Sequence, residues 1–169
     1  DKTVEFFKAK KFDSPRLDAE LLLSHGLGLN NRVDLYLKFD QPLSDKELSK
    51  CRDLVKRRSL GEPVAYLLGE KEFFGIKFLV DSKVLIQRPE KEILVEQAIE
   101  WIQKNDLKKA RILDIGTGSG CIGLSLAKKI PDAEVVCLEK SSEAAKVAQR
   151  NIEALELGER VKILLGDAT

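Results

Sequence analysis

The sequence predicts an α/β chain, a right-handed, doubly wound parallel sheet entered through a smaller helical segment. Three observations predict it. Apolar runs at 110–113, 134–139 and 161–165 alternate with helical patterns, the βαβαβ order of a parallel sheet. The first run enters a glycine-rich turn, Asp114-Ile115-Gly116-Thr117-Gly118-Ser119-Gly120, that opens into a helix at Cys121. The first part of the chain reads as helical, with its own caps and stops.

Each element has a local reason. A short helix covers 4–8. Ser14 and Pro15 then supply a cap and a first-turn proline for a helix over 16–25, with Leu17, Leu21 and Leu22 on one face and Gly26 and Gly28 after its end. Residues 33–39 read as a third helix. Ser44 and Glu47 form a capping box for a longer helix that Gly61 stops. That helix carries Lys50, Arg52, Lys56, Arg57 and Arg58, read here as a solvated face rather than a binding patch. Residues 72–80 read as a hairpin turning near Gly75, and 84–86 as another strand. Arg88-Pro89 breaks the chain before a helix over 90–104, whose first turn holds Glu90 and Glu92. Trp101 falls on that helix and is read as core. Ser141 or Ser142 caps a helix over 142–155. No internal repeat is evident.

Composition narrows the class. The chain has 169 residues, 43% hydrophobic and 34% charged, which suits one ordinary soluble domain or two small ones. No apolar run reaches membrane-spanning length and no signal peptide opens the chain. A net charge of +1 gives no basic field for a nucleic acid. Cys51, Cys121 and Cys137 lack metal-ligand spacing and read as reduced thiols of a cytoplasmic protein; no metal site is expected. Cys121 opens a helix, a position that lowers a thiol pKa, although a small residue packed beside the turn is the preferred reading. His25 reads as structural. The chain starts at Asp1, holds no methionine and stops just after the third parallel strand, so it is expected to be part of a longer protein whose sheet it leaves partly uncovered.

The strand ends carry the chemistry. A strand that turns through glycines into a helix N-terminus brings free N–H groups to a polar ligand. Glu139 ends the second strand about 20 residues on, where a nucleotide-binding βαβ unit places the acid that accepts from a ribose diol. Gly118, Gly120 and Gly123 also satisfy the G-x-G-x-x-G pattern of nicotinamide enzymes. Two acids favour S-adenosyl-L-methionine instead. Asp114 lies ahead of the glycines, and an anion there suits a cationic amino-acid head and sulfonium better than a pyrophosphate. Asp167 follows the third strand, within reach of an adenine amino group. Taken singly, each acid would be a turn or cap residue.

These residues resemble the HemK/PrmC family of protein-(glutamine-N5) methyltransferases, which modify peptide-chain release factors. The resemblance rests on Ser14–Leu23, on Gly61-Glu62-Pro63-Val64-Ala65-Tyr66-Leu67-Leu68-Gly69 with Glu72-Phe73-Phe74-Gly75, on Leu85-Ile86-Gln87-Arg88-Pro89-Glu90-Lys91-Glu92, and on the glycine turn. It implies a helical release-factor docking domain over 1–70, a hairpin and linker over 71–89, and the first part of a Rossmann-like class I methyltransferase domain over 90–169. It implies that Gly116, Thr117, Gly118, Ser119 and Gly120 cradle S-adenosyl-L-methionine, that Glu139 holds the ribose, and that Asp167 or Ala168 lies beside the adenine. Arg88, Glu90 and Glu92 would border the cofactor and substrate channel. The chain departs from the family pattern where Gln87 stands for a proline, Lys91 for a threonine, Glu139 for an aspartate and Ala168 for an aromatic residue. The Asn-Pro-Pro-Tyr motif, which in the family grips the glutamine amide, does not occur in these 169 residues. They are therefore expected to bind cofactor weakly or not at all and not to catalyse alone, and the catalytic residues stay unassigned. The implied reaction is methyl transfer to the glutamine of a Gly-Gly-Gln motif, with a release factor as partner and no membrane. Direct nucleic-acid binding is not expected. Three alternatives stay open: a nucleic-acid amino-group methyltransferase, a nicotinamide-dependent oxidoreductase, and a non-catalytic docking fragment.

Overall fold

The computed structural model describes residues 2–29, 31–38, 40–107 and 109–168, and the chain divides into two units, Asp1–Leu68 and Gly69–Thr169. The first unit holds helices α1 (Lys2–Ala9), α2 (Pro15–Gly26), α3 (Val33–Leu37), α4 (Asp45–Ser59) and α5 (Val64–Leu68). The capping box at α4 forms as its spacing predicts. Ser44 Oγ accepts from the Glu47 N–H at 3.3 Å, and Glu47 Oε2 accepts from the Ser44 N–H at 2.8 Å. The two bonds satisfy donors that the helix leaves open. Phe7, Ala19, Leu22, Leu54 and Leu67 make the core of this unit. Burying a side chain such as Phe7 or Leu22 stabilises by about 2 kcal/mol.

Two expectations change in this unit. The third helix ends at Leu37, and Phe39 lies outside the described residues. The basic face of α4 is not wholly solvated. Arg58 lies 3.9 Å from the Phe12 ring centre and donates Nε to Asp18 Oδ2 at 2.9 Å, with its side chain mostly hidden from water. A guanidinium can stack and pair at once, which draws this one residue inward. Helix α5, not foreseen, starts just after Pro63.

The second unit opens on a hairpin, β1 (Glu70–Phe73) and β2 (Ile76–Leu79), with Phe73 opposite Ile76. Phe74 and Gly75 turn it with φ of +53° and +70°, the two positive angles of a type I′ turn. The expected strand at 84–86 does not form. Among the described residues no strand pairs with it; the Val84 N–H donates to the Asp81 carbonyl at 3.2 Å in a turn, and Val84 is buried while Leu85 is exposed. Pro89–Lys91 makes a 3-10 turn that leads into α6 (Glu92–Lys104). Trp101 is 60% exposed, against the expectation of core. The inward stripe of α6 runs through Val95, Ala98, Ile99 and Ile102, and Trp101 falls beside it.

The sheet follows with β3 (Arg111–Ile115), α7 (Cys121–Lys129), β4 (Glu134–Glu139), α8 (Ser142–Ala154) and β5 (Val161–Leu165). Its strands are parallel in the order β3-β4-β5, with Ile115 opposite Leu138 and Glu139 opposite Leu165. Ile112, Val135, Cys137, Val161 and Ile163 face inward with Phe78, Leu124 and Ile152. Leu113, Ile115 and Leu164, on the alternate face, stay 52–59% exposed. Strand order that advances one way puts both crossovers on one side, so among the described residues the sheet is wound on a single face rather than on two.

Candidate functional site

The glycine turn lies at the carboxyl end of β3 and is fastened to the end of β4. The Gly116 and Thr117 N–H groups both donate to the Leu138 carbonyl, at 2.8 and 3.2 Å. Gly116, Gly118 and Gly120 all have positive φ. Gly120 also permits a close approach, because a Cβ there would lie 2.9 Å from Leu124 Cδ1. At Gly116 a Cβ would meet nothing within 4 Å, so the turn is open on that side.

Three polar side chains set the turn's shape. Asp114 Oδ2 accepts from Thr117 Oγ1 at 2.6 Å and from the Gly123 N–H at 3.0 Å. Gly120 has no side chain to cap α7, and Asp114 caps it from the strand instead. Glu139 Oε2 accepts from the Gly118 N–H and Oε1 from the Ser141 N–H, both at 2.9 Å. Each carboxylate oxygen keeps a further lone pair. Asn151, buried on α8, donates Nδ2 to the Ser119 carbonyl at 2.8 Å and exchanges two bonds with the Leu79 backbone at 2.7 and 2.9 Å. Sequence reasoning missed Asn151. Its one signal was a short amide on the apolar stripe between Ala148 and Ile152.

The other predicted residues distribute as follows. Thr117 and Ser119 are buried, so their side chains face protein. Asp167 follows β5 and forms an ion pair with Lys140, while Ala168 beside it is exposed. Both leave the sheet next to Glu139, because the Gly166 N–H donates to the Glu139 carbonyl at 2.9 Å. Glu92 Oε1 accepts from the Phe74 N–H at 2.9 Å and ties the hairpin turn to the start of α6. Arg88 and Glu90 are exposed, and Arg88 precedes the 3-10 turn, where its carbonyl accepts from the Lys91 N–H at 3.1 Å while its side chain makes no capping bond. Gln87 reaches the glycine turn: its Nε2 is 3.8 Å from where a Cβ on Gly118 would stand. Cys121 is packed beside the turn, the reading preferred from the sequence, and its place at a helix start does not lower its pKa. Burial pushes its thiol up to about 12, and the same cause takes Cys137 to about 11. A helix N-terminus lowers a thiol pKa only where water or a cation can support the thiolate. Among the described residues no group of acids, cysteines and histidine is arranged to hold a metal.

The arrangement fits a nucleoside with a cationic head better than a dinucleotide. The Gly118 N–H, which a pyrophosphate would need, is already bound to a carboxylate. A depression of about 460 Å³ lies instead at the opposite, amino end of the strands, by Arg111, Glu134 and Lys162, away from the turn.

A model of the PrmC N-terminal domain matches residues 1–69, and a model of the methyltransferase small domain matches residues 93–169. The release factor glutamine methyltransferase of Chlorobaculum tepidum is 46% identical over 98% of this chain and 57% of its own length. That of Geobacter sulfurreducens is 45% identical over 98% of this chain and 56% of its own. The chain thus spans a little over half the length of these curated relatives. A solved structure, the Pyrococcus abyssi tRNA (uracil-54, C5)-methyltransferase with S-adenosyl-L-homocysteine, aligns at 20% identity and a TM-score of 0.47, over 58% of this chain and 23% of its own. With both domain models in sequence and relatives matched along nearly its whole length, the chain belongs to the HemK/PrmC family, that of the release factor glutamine methyltransferases.

Proposed function

We propose that the protein transfers a methyl group from S-adenosyl-L-methionine to the side-chain amide nitrogen of the glutamine in a release factor Gly-Gly-Gln motif. One observation carries the reading from this chain's own residues. The glycine turn is closed by Asp114 and Glu139, on strands that end side by side, which makes an anionic cradle for a cationic nucleoside. The relatives' names supply the methyl acceptor.

In this reading Gly116, Thr117, Gly118, Ser119 and Gly120 hold the cofactor through the backbone. Glu139 accepts from the ribose diol, and Asp167 or Ala168 borders the adenine. When bound, S-adenosyl-L-methionine supplies a methyl group on a sulfonium that needs no further activation. The chain's residues therefore act by placement, and rate comes from in-line orientation. Asp114 acts indirectly, by fixing the turn. Residues 1–70 serve as the release-factor docking domain, 71–89 as hairpin and linker, and 90–169 as the start of the methyltransferase domain. Arg88, Glu90 and Glu92 border the channel, with Glu92 also holding the hairpin turn. The setting is the cytoplasm, where release factors work; among the described residues no helix is long and apolar enough to cross a membrane.

The test is incubation of the full-length protein with recombinant release factor and methyl-labelled cofactor, followed by peptide mass analysis. A gain of one methylene mass on the Gly-Gly-Gln peptide is the expected result, lost with Glu139→Ala. Label on RNA and none on the release factor would instead establish a nucleic-acid methyltransferase.

A further inference from the structure

Gln87 is an unexplained polar group beside the turn; the small buried hydroxyl of Ser119, inside the turn, also lacks a partner. It precedes the 3-10 turn in a stretch of irregular backbone. Its Oε1 is buried and has no hydrogen-bond partner. A buried acceptor left without a donor is uncommon and unfavourable, so each instance calls for a missing donor. The same amide stands against Gly118, with Nε2 3.8 Å from the point a Cβ there would occupy. The orphan oxygen therefore belongs to the region of the glycine turn and not to a remote packing fault.

We propose that Gln87 is a cofactor-contacting residue whose amide oxygen accepts a hydrogen bond from the α-ammonium of the amino-acid end of S-adenosyl-L-methionine. The inference rests on the cofactor reading above and deepens it. The donors of that cofactor are the ribose hydroxyls, the adenine amino group and the ammonium. Glu139 takes the first, and the end of β5 borders the second. The ammonium remains. Asp114, the other carboxylate at the turn, already has one oxygen committed to Thr117 and Gly123. A neutral amide oxygen accepts from a cation without adding another buried charge to the site.

The test compares two ligands by calorimetry in the full-length protein. S-Adenosylhomocysteine carries the amino-acid end; 5′-methylthioadenosine has the same nucleoside and thioether without it. Gln87→Met and, as a smaller replacement, Gln87→Ala are measured against the parent. Both variants should weaken S-adenosylhomocysteine on the order of tenfold and leave methylthioadenosine within about twofold. Retained methylthioadenosine binding also shows that the turn is folded. An equal loss for both ligands would overturn the proposal, because it marks a packing role, and so would no loss for either. A parent protein that binds neither ligand would overturn the cofactor reading itself, and this role with it.

Discussion

Single residues hold the glycine turn in shape. Asn151 joins three backbone groups from two elements, the Leu79 N–H and carbonyl on β2 and the Ser119 carbonyl in the turn. Asn151→Ala leaves them unpaired, the Ser119 carbonyl in a buried place and the Leu79 groups in a part-buried one. The expected loss is about 3 kcal/mol, read as a lower urea midpoint with an unchanged slope. An unchanged midpoint would mean that water replaces the amide. Cys121 and Cys137 make the opposite point, that a residue in a site need not be reactive. Both thiols are buried and held protonated, with values near 12 and 11. At pH 8 neither should react with N-ethylmaleimide in the folded protein, while urea-unfolded protein labels fully; rapid native labelling of Cys121 would show a thiolate at the helix start.

Elements meet where small residues let them. Gly26 ends α2 against α4, and a Cβ there would lie 2.6 Å from Cys51 Sγ. Gly26→Ala gains up to about 1 kcal/mol of helix propensity but must push Cys51 aside, at a cost of about 1–3 kcal/mol. The single variant should lower the melting temperature, and Cys51→Ala added to it should recover most of the loss. A double-mutant cycle with no coupling would place the clash elsewhere. Gly123 has the same role in the second unit. A Cβ there would meet Asp114 Oδ2 and Cys137 Sγ at 3.1 Å, so glycine brings α7 close enough for Asp114 to cap it. The third glycine of the motif thus concerns helix–sheet contact more than the ligand.

Among the described residues each unit has an apolar core of its own, the second unit adds a smaller cluster at Ile102, Ala110 and Ala133, and one face of its parallel sheet is bare. Leu113, Ile115 and Leu164 line that face and stay more than half exposed. Contiguous apolar area of this kind binds other apolar surface. The 169-residue chain should therefore enhance the fluorescence of a hydrophobic dye, and Leu113→Lys with Leu164→Lys should reduce the signal without shifting the melting temperature downward. Dye binding that survives both changes would locate the patch elsewhere, for instance at Val33, Tyr36 and Leu37.

Much of this was legible in the chain itself. The capping box at Ser44, the hairpin at Gly75, the order of strands and helices after residue 110, and the glycines that let the turn form all show in local spacing and residue type. Family membership was legible too, because extended motifs survive as linear text. The partners of Asp114, Glu139 and Asn151 were not: an acid at a strand end reads the same whether it faces a ribose or a backbone N–H 21 residues away. Packing likewise decided that Trp101 stays outside and that 84–86 makes no strand. Sequence sets local geometry and apolar period, whereas burial and hydrogen-bond partnership depend on which distant segments arrive, and only the folded chain fixes that.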